Sequence, residues 1–276
     1  MNEPIQEISG KAVVYTTIFD DYDYLFEPKC TPDGLRFVCF TDDESLKSDN
    51  WDIVTVDQSG DLPEMRNRRY KFFPHKHFPE YTYSIYIDGN VQVTGDLTEL
   101  VEQYMGDCDF AVPDHIDRNC LYDEGNAVIE NGLAKSENVQ QQLDRYREEG
   151  FPENYGLSVN RVIIRRHNSE NVIKAMNLWW DEIQNETSRD QLSLSYVIWK
   201  TGLDYCLIHQ DHAPYHNRLT KSNYFRLYPH KLPGFLGVPQ KYWIKARKRK
   251  DESTVCKFII NMLSKFSRTI DNINLI

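Results

Sequence analysis

Residues 83–90 read YSIYIDGN. An aromatic and β-branched run that passes directly into Asp88-Gly89-Asn90 predicts a strand buried on both faces, with a carboxylate and an amide presented at its carboxyl end. Gly89 lets the backbone turn sharply there and lets a ligand approach closely. Oxygen donors of this kind suit hard divalent ions such as Mn²⁺ or Mg²⁺, which often share their coordination with substrate phosphates. The same three residues also favour ordinary turns, so their meaning depends on what surrounds them.

Just upstream, 65–73 has helical character and carries Arg66, Arg69 and Lys71. Arginine forks bind phosphate at two points and lysine binds it as a point charge, so this cluster suits a diphosphate. Further out, 11–19 (KAVVYTTIF), 36–41 (RFVCFT), 51–56, 109–113 and 157–165 read as strands, the third of them on a sheet edge. Segments 96–104, 136–149, 169–185 and 190–200 read as helices, and 116–135 as a long loop. Strands alternating with helices predict an α/β domain with a mostly parallel central sheet flanked by helices. Ligands of such sheets bind beyond the carboxyl ends of the strands. That rule singles out Thr16-Thr17, Asp42-Asp43 and Asp114-His115 beside Asp88. The block Arg189-Asp190-Gln191 adds a carboxylate and an amide able to orient sugar hydroxyls or to stabilise positive charge at an anomeric carbon. His209, His212 and His216 cluster shortly after, and a neutral imidazole is a metal ligand.

The 276 residues suit one large domain with an appendage, and 40% apolar with 13% aromatic residues argues against disorder. A net charge of −10 is unlike that of nucleic-acid binders. Six scattered cysteines, with no C-x-x-C pair, fit reduced thiols. The polar N-terminus and the lack of a long apolar run give an expectation of a cytoplasmic protein.

Five stretches carry a resemblance: VYTTIFDDYDYL (14–25), VCFTDD (38–43), RNRRYKFFPHKHFPEYTYSIYIDGN (66–90), RRHN (165–168) and SRDQLSLSYVIWKTG (188–202). With these the chain resembles the TOD1/MUCI70 glycosyltransferase-like family, itself similar to the retaining GT-A transferases of family 8. The resemblance implies a Rossmann-like GT-A domain over 11–235 and a nucleotide-sugar donor, UDP-linked. It also implies Mn²⁺ or Mg²⁺ at Asp88 and Asn90, in place of a D-x-D motif, with His212 completing the shell. Tyr15 and Thr16 would lie near base and ribose, Asp42 near uracil or ribose, Arg69 on the diphosphate, and Asp190-Gln191 against the donor sugar. The acceptor would be a glycan or glycolipid hydroxyl, met by Asp114 and His115. Two other readings are a nucleotide-sugar-binding protein without transferase activity and a hydrolase. The second has no H-E-x-x-H or G-x-S-x-G motif behind it.

The remaining stretch, 236–276, begins with six cations and no acid between Lys241 and Lys250, followed by apolar residues at helical spacing from Val255 to Ile270. Such a basic, amphipathic tail suits peripheral contact with the inner face of an anionic membrane.

Overall fold

The computed structural model describes residues 11–57, 61–213, 222–228 and 230. His216 and the tail from 236 onward lie outside the described residues. In chain order the elements are β1 (Ala12–Ile18), β2 (Leu35–Thr41), β3 (Asp52–Thr55), α1 (Pro63–Phe72), α2 (Pro74–His77), β4 (Tyr83–Ile87), β5 (Val91–Val93) and α3 (Leu97–Tyr104). Then come β6 (Phe110–Pro113), α4 (Leu121–Glu130), α5 (Ser136–Glu148), β7 (Val162–Arg165), α6 (Glu170–Asn185), α7 (Leu194–Thr201), β8 (Cys206–Ile208) and β9 (Phe225–Leu227).

Seven strands form one sheet in the order β3-β2-β1-β4-β7-β6-β8, with β7 antiparallel to both its neighbours and the other pairs parallel. The carboxyl ends of β1, β2, β4, β6 and β8 therefore share one edge, together with the start of β7. Every residue of β1 and β4 is buried, as a strand covered on both faces requires. Val13 and Tyr15 face a core shared with Phe72 of α1, Trp179 of α6 and the α4, α5 and α7 helices. Ala12, Val14 and Ile18 face the other core, filled by Leu97, Leu100 and Val101 of α3 and by a two-stranded leaf of β5 and β9.

Local chemistry sets the helix ends. Pro63 opens α1 where a missing N–H costs nothing, and Pro74 follows its end. Asp96 caps α3 by accepting from Thr98 N–H at 2.8 Å.

Three expectations meet corrections. The segment 116–135 is not all loop, because α4 lies within it. Gly125 hides this helix in the sequence, yet a Cβ there would sit 2.6 Å from Leu143 Cδ1, so the glycine is what lets α4 lie close on α5. The stretch 190–200 is not one helix: a single 3₁₀ turn, Asp190–Leu192, precedes α7. The indole of Trp179 bonds both the Asp190 carbonyl (3.2 Å) and Ser193 Oγ (3.1 Å), which holds that break in place. Finally, the cysteines are not all thiols. Cys108, before β6, is disulfide-bonded to Cys206 at the start of β8. Among the described residues no helix is long and apolar enough to cross a membrane.

Candidate active site

Lys71 is the centre of the strand-end crevice. It sits in the last turn of α1, is 1% exposed, and lies 4.8 Å above the Tyr86 ring. Its Nζ is 2.8 Å from Asp190 Oδ2, 119 residues beyond Lys71, and 3.5 Å from Asp88 Oδ1, so one cation joins the DGN turn to the Arg189-Asp190-Gln191 block. Arg68, one turn earlier on the same helix face, comes within 3.5 Å of Asp190 Oδ1. Burial would raise the Asp190 pKa, but the charges of Arg68 and Lys71 outweigh it and hold the carboxyl well below the usual carboxylate range.

The DGN turn has a second set of partners. Asp88 N–H donates to the carbonyl of Arg161, just before β7, and Val91 N–H closes the turn onto Asp88 O. Asn90 is buried. Its Nδ2 donates to Tyr228 O at 2.8 Å, which fixes the amide orientation and leaves Oδ1 with no partner among the described residues. His230 follows β9 and stands 3.3 Å from the same Nδ2 through Nε2. Its other nitrogen, Nδ1, is 2.8 Å from Asp23 Oδ1. An Nδ1–H held by a carboxylate fixes the tautomer in which Nε2 carries a lone pair. Gly89 permits this convergence, since a Cβ there would lie 3.0 Å from both Cβ and Oδ2 of Asp23. Among the described residues no three His, Cys, Asp or Glu side chains form a metal cluster. Among the described residues the turn offers instead the Asp88 carboxylate and the unpartnered Asn90 Oδ1, while the Nε2 lone pair of His230 meets Asn90 Nδ2–H.

On the β1–β2 side, Arg66 and Asp42 form a buried pair at 2.9 Å, and Arg66 lies over the Phe19 ring. Asp42 also accepts from the N–H of Asp20, where the backbone takes two successive left-handed residues, Asp20 and Asp21. Asn67 Nδ2 bonds Thr17 Oγ1 at 2.5 Å. Several buried donors have no acceptor among the described residues: Arg66 Nε and Nη1, Arg68 Nε, Arg189 Nε and Gln191 Nε2. Unpaired buried donors are costly and rare. Five of them lie on α1 and the Asp190 turn, and donors of this kind suit an oxygen-rich anion.

The structure thus brings together Asp42, Arg66, Lys71, Asp88, Asn90, Asp190 and Gln191, all singled out by sequence. Others fall elsewhere. Arg69 points away from the crevice, pairs with Asp61 at 2.7 Å on the surface and lies over Trp180. The face of α1 that meets Asp190 is the one carrying Arg68 and Lys71, two residues on from Arg66 and Arg69. Tyr15 is a core residue, because β1 runs three residues beyond it. Its hydroxyl donates to Lys71 O and its pKa is pushed up to about 12 by burial. Thr16 is buried too, with Oγ1 unpartnered among the described residues. His212 turns toward α3, with Nδ1 2.9 Å from the Tyr104 hydroxyl and its ring edge-on to Tyr224. It is His230, distant in sequence and outside any histidine cluster, that reaches Asn90. Asp114 is exposed at the end of β6, while His115 is buried and anchors its loop: it donates through N–H to Leu157 O and accepts from Arg118 N–H at Nδ1.

The family model described as "TOD1/MUCI70, glycosyltransferase-like domain" matches residues 3–212. The Arabidopsis thaliana "Probable hexosyltransferase MUCI70" is 27% identical over 220 residues, 67% of this chain but 36% of that protein, so the chain spans little more than a third of that relative. Among solved structures, the WbbM bifunctional glycosyltransferase aligns with a TM-score of 0.45 at 12% identity, covering 80% of this chain and 42% of its own. Mouse xyloside xylosyltransferase 1 aligns with a TM-score of 0.43 at 8% identity, covering 72% and 85%. At that distance neither structure bears on the chemistry. The family match, running through both the DGN turn and the Asp190 turn, is what decides: the chain belongs to the TOD1/MUCI70 glycosyltransferase-like family.

Proposed function

We propose that this domain transfers a hexose from a nucleoside diphosphate sugar of the UDP class to a hydroxyl of a glycan or glycolipid, assisted by Mn²⁺ or Mg²⁺ and with retention at the anomeric carbon. One observation carries the reading. Among the described residues, buried donors without acceptors on α1 and the Asp190 turn adjoin a turn whose Asn90 Oδ1 also has no partner. The first set asks for an oxyanion and the second for a cation, which is what a metal-bound diphosphate supplies together.

Asp88 and Asn90 Oδ1 would hold a divalent ion as oxygen donors, with His230, which meets Asn90 Nδ2 through Nε2, orienting the amide. When bound, that ion would neutralise charge growing on the leaving diphosphate. Lys71 and Arg68 add positive charge to the same region, and Arg66 extends it toward Asp42. The anionic Asp190 is suited to stabilising positive charge at the anomeric carbon, and Gln191 to donating to a sugar hydroxyl. A carboxylate whose proton affinity is suppressed by two cations makes a poor general base. Asp190 is therefore unsuited to serve as a base that activates the acceptor.

The test is calorimetric titration of UDP with and without Mn²⁺, on the wild type and on Asp88→Ala. Binding that needs Mn²⁺ and weakens at least about tenfold in the variant is expected. No binding under any of these conditions would remove UDP as the donor nucleotide. UDP-sugar binding with no sugar transferred or released would leave a binding module.

A further inference from the structure

Arg165 is a buried cation that the chemistry proposed above does not use. It is 0% exposed in β7, and among the described residues no carboxylate pairs with it. Its neighbours are Ser84 Oγ (3.3 Å), Met176 Sδ (3.2 Å), the Tyr15 hydroxyl and the carbonyl of Lys71. Burial lowers its pKa, although a guanidinium keeps its charge in proteins. A charge without a counter-ion is expensive in a protein interior, so its partners deserve an explanation.

The Lys71 carbonyl supplies it. The last carbonyls of a helix have no partner within the helix, and the last two residues of α1, Lys71 and Phe72, are buried. Lys71 O receives one bond from Tyr15 Oη on β1, at 2.9 Å, and one from Arg165 on β7. A positive charge at a helix C-terminus also meets the negative end of the helix dipole. The residues after Arg165 continue the attachment. His167 Nε2–H donates to Phe78 O at 2.9 Å, and Asn168 Nδ2 donates to Pro79 O (3.1 Å) and Tyr81 O (3.0 Å). The strand exit 165–168 thus fastens the whole connection from α1 to β4 on the side of the sheet away from the crevice.

We propose that Arg165, with Tyr15 as its bridge, is a positioning residue. It locks the end of α1 against the sheet by its backbone, and so aims the Lys71 ammonium between Asp88 and Asp190. The ammonium and the clamped carbonyl belong to the same residue, so a shift of the helix end moves the site directly. The proposal deepens the donor-site reading, and its first test does not depend on it.

That test is lysine footprinting with N-hydroxysuccinimidyl acetate, read by mass spectrometry. It uses the full chain at a temperature where circular dichroism shows the native fold, with exposed Lys174 and Lys200 as internal references. In the wild type Lys71 is expected to be protected. In Arg165→Met its acetylation relative to the references should rise roughly tenfold, and Arg165→Lys should restore part of the protection. Tyr15→Phe keeps the core ring and removes one bond to the carbonyl. It should show a smaller rise, and it keeps the test open if Arg165→Met does not fold. Unchanged protection of Lys71 in a folded Arg165→Met or Tyr15→Phe protein would overturn the proposal, as would a rise shared equally by all lysines. UDP titration of the same variants then separates the two readings. If the wild type binds no UDP the donor site fails, while the footprint still decides the clamp.

Discussion

Asp190 illustrates how one side chain serves two roles. It is the counter-ion of two cations, the buried Lys71 at 2.8 Å and the half-buried Arg68 at 3.5 Å. Replacing it by Asn keeps the shape and removes the charge. The half-paired Lys71 should then cost about 3 kcal/mol, seen as a fall in Tm. In the proposed chemistry, sugar transfer should fall roughly 100-fold or more. UDP should bind no more weakly than to the wild type, because Lys71 and Arg68 are freed to meet the diphosphate. Calorimetry with UDP beside a product assay with a UDP-sugar checks both halves. A parallel loss of binding and turnover would mean that Asp190 holds the pocket together and does nothing further. Asp190 was visible in the sequence as an acid opening a helical stretch. Arg68 was not, since nothing in RNRRYK distinguishes the face that turns inward from the one that turns out.

At the scale of elements, the leaf of β5 and β9 decides whether His230 reaches the DGN turn. Tyr228 N–H donates to Asn90 O and Tyr228 O accepts from the Asn90 side chain, so the last residue of the DGN motif is itself part of the docking surface. Tyr228 also stacks on Phe26 at 4.1 Å and bonds Gln92. Gly95 makes the close approach possible, because a Cβ there would lie 2.5 Å from the backbone oxygen of Asn223. Backbone cannot step aside as a side-chain tip can. Gly95→Ala should therefore lever residues 222–228 and His230 away from the turn and cost about 1–3 kcal/mol. Mn²⁺-dependent UDP affinity should drop at least about tenfold while circular dichroism stays native. Titration of the variant with Mn²⁺ and UDP checks it, and unchanged metal dependence would separate His230 from the site.

Taken whole, the molecule has a pH response built into the same attachment that holds α1. Burial pushes the His167 pKa from 6.5 down to about 4. The folded state thus binds fewer protons than the unfolded chain between those values, so the stability contribution is full above about 6.5 and is lost as pH falls toward 4. His75 and His77, also lowered by burial, act in the same sense. Acidification across this window should lower stability, with His167 contributing on the order of 2–3 kcal/mol. His167→Gln should flatten the dependence of Tm on pH between 6.5 and 4, and an unchanged slope would reassign it to other groups. What could be read from the chain alone is what depends on neighbours in sequence. The buried strands 12–18 and 83–87, the carboxylate and amide at a strand end, the cationic helix before them and the acid at 190 all declare themselves by local run and spacing. The family likeness comes from the same strings. Tertiary structure decided the rest. It broke the helix at Ser193, turned Arg69 out and Arg68 in, sank Tyr15 into the core, joined Cys108 to Cys206 and brought His230 to Asn90 in place of His212. Each of these depends on which of two faces packs, or on which of several distant segments arrives. Local periodicity carries neither, because the competing faces are chemically alike and distant partners such as Cys108 with Cys206 and Asn90 with His230 lie 98 and 140 residues apart.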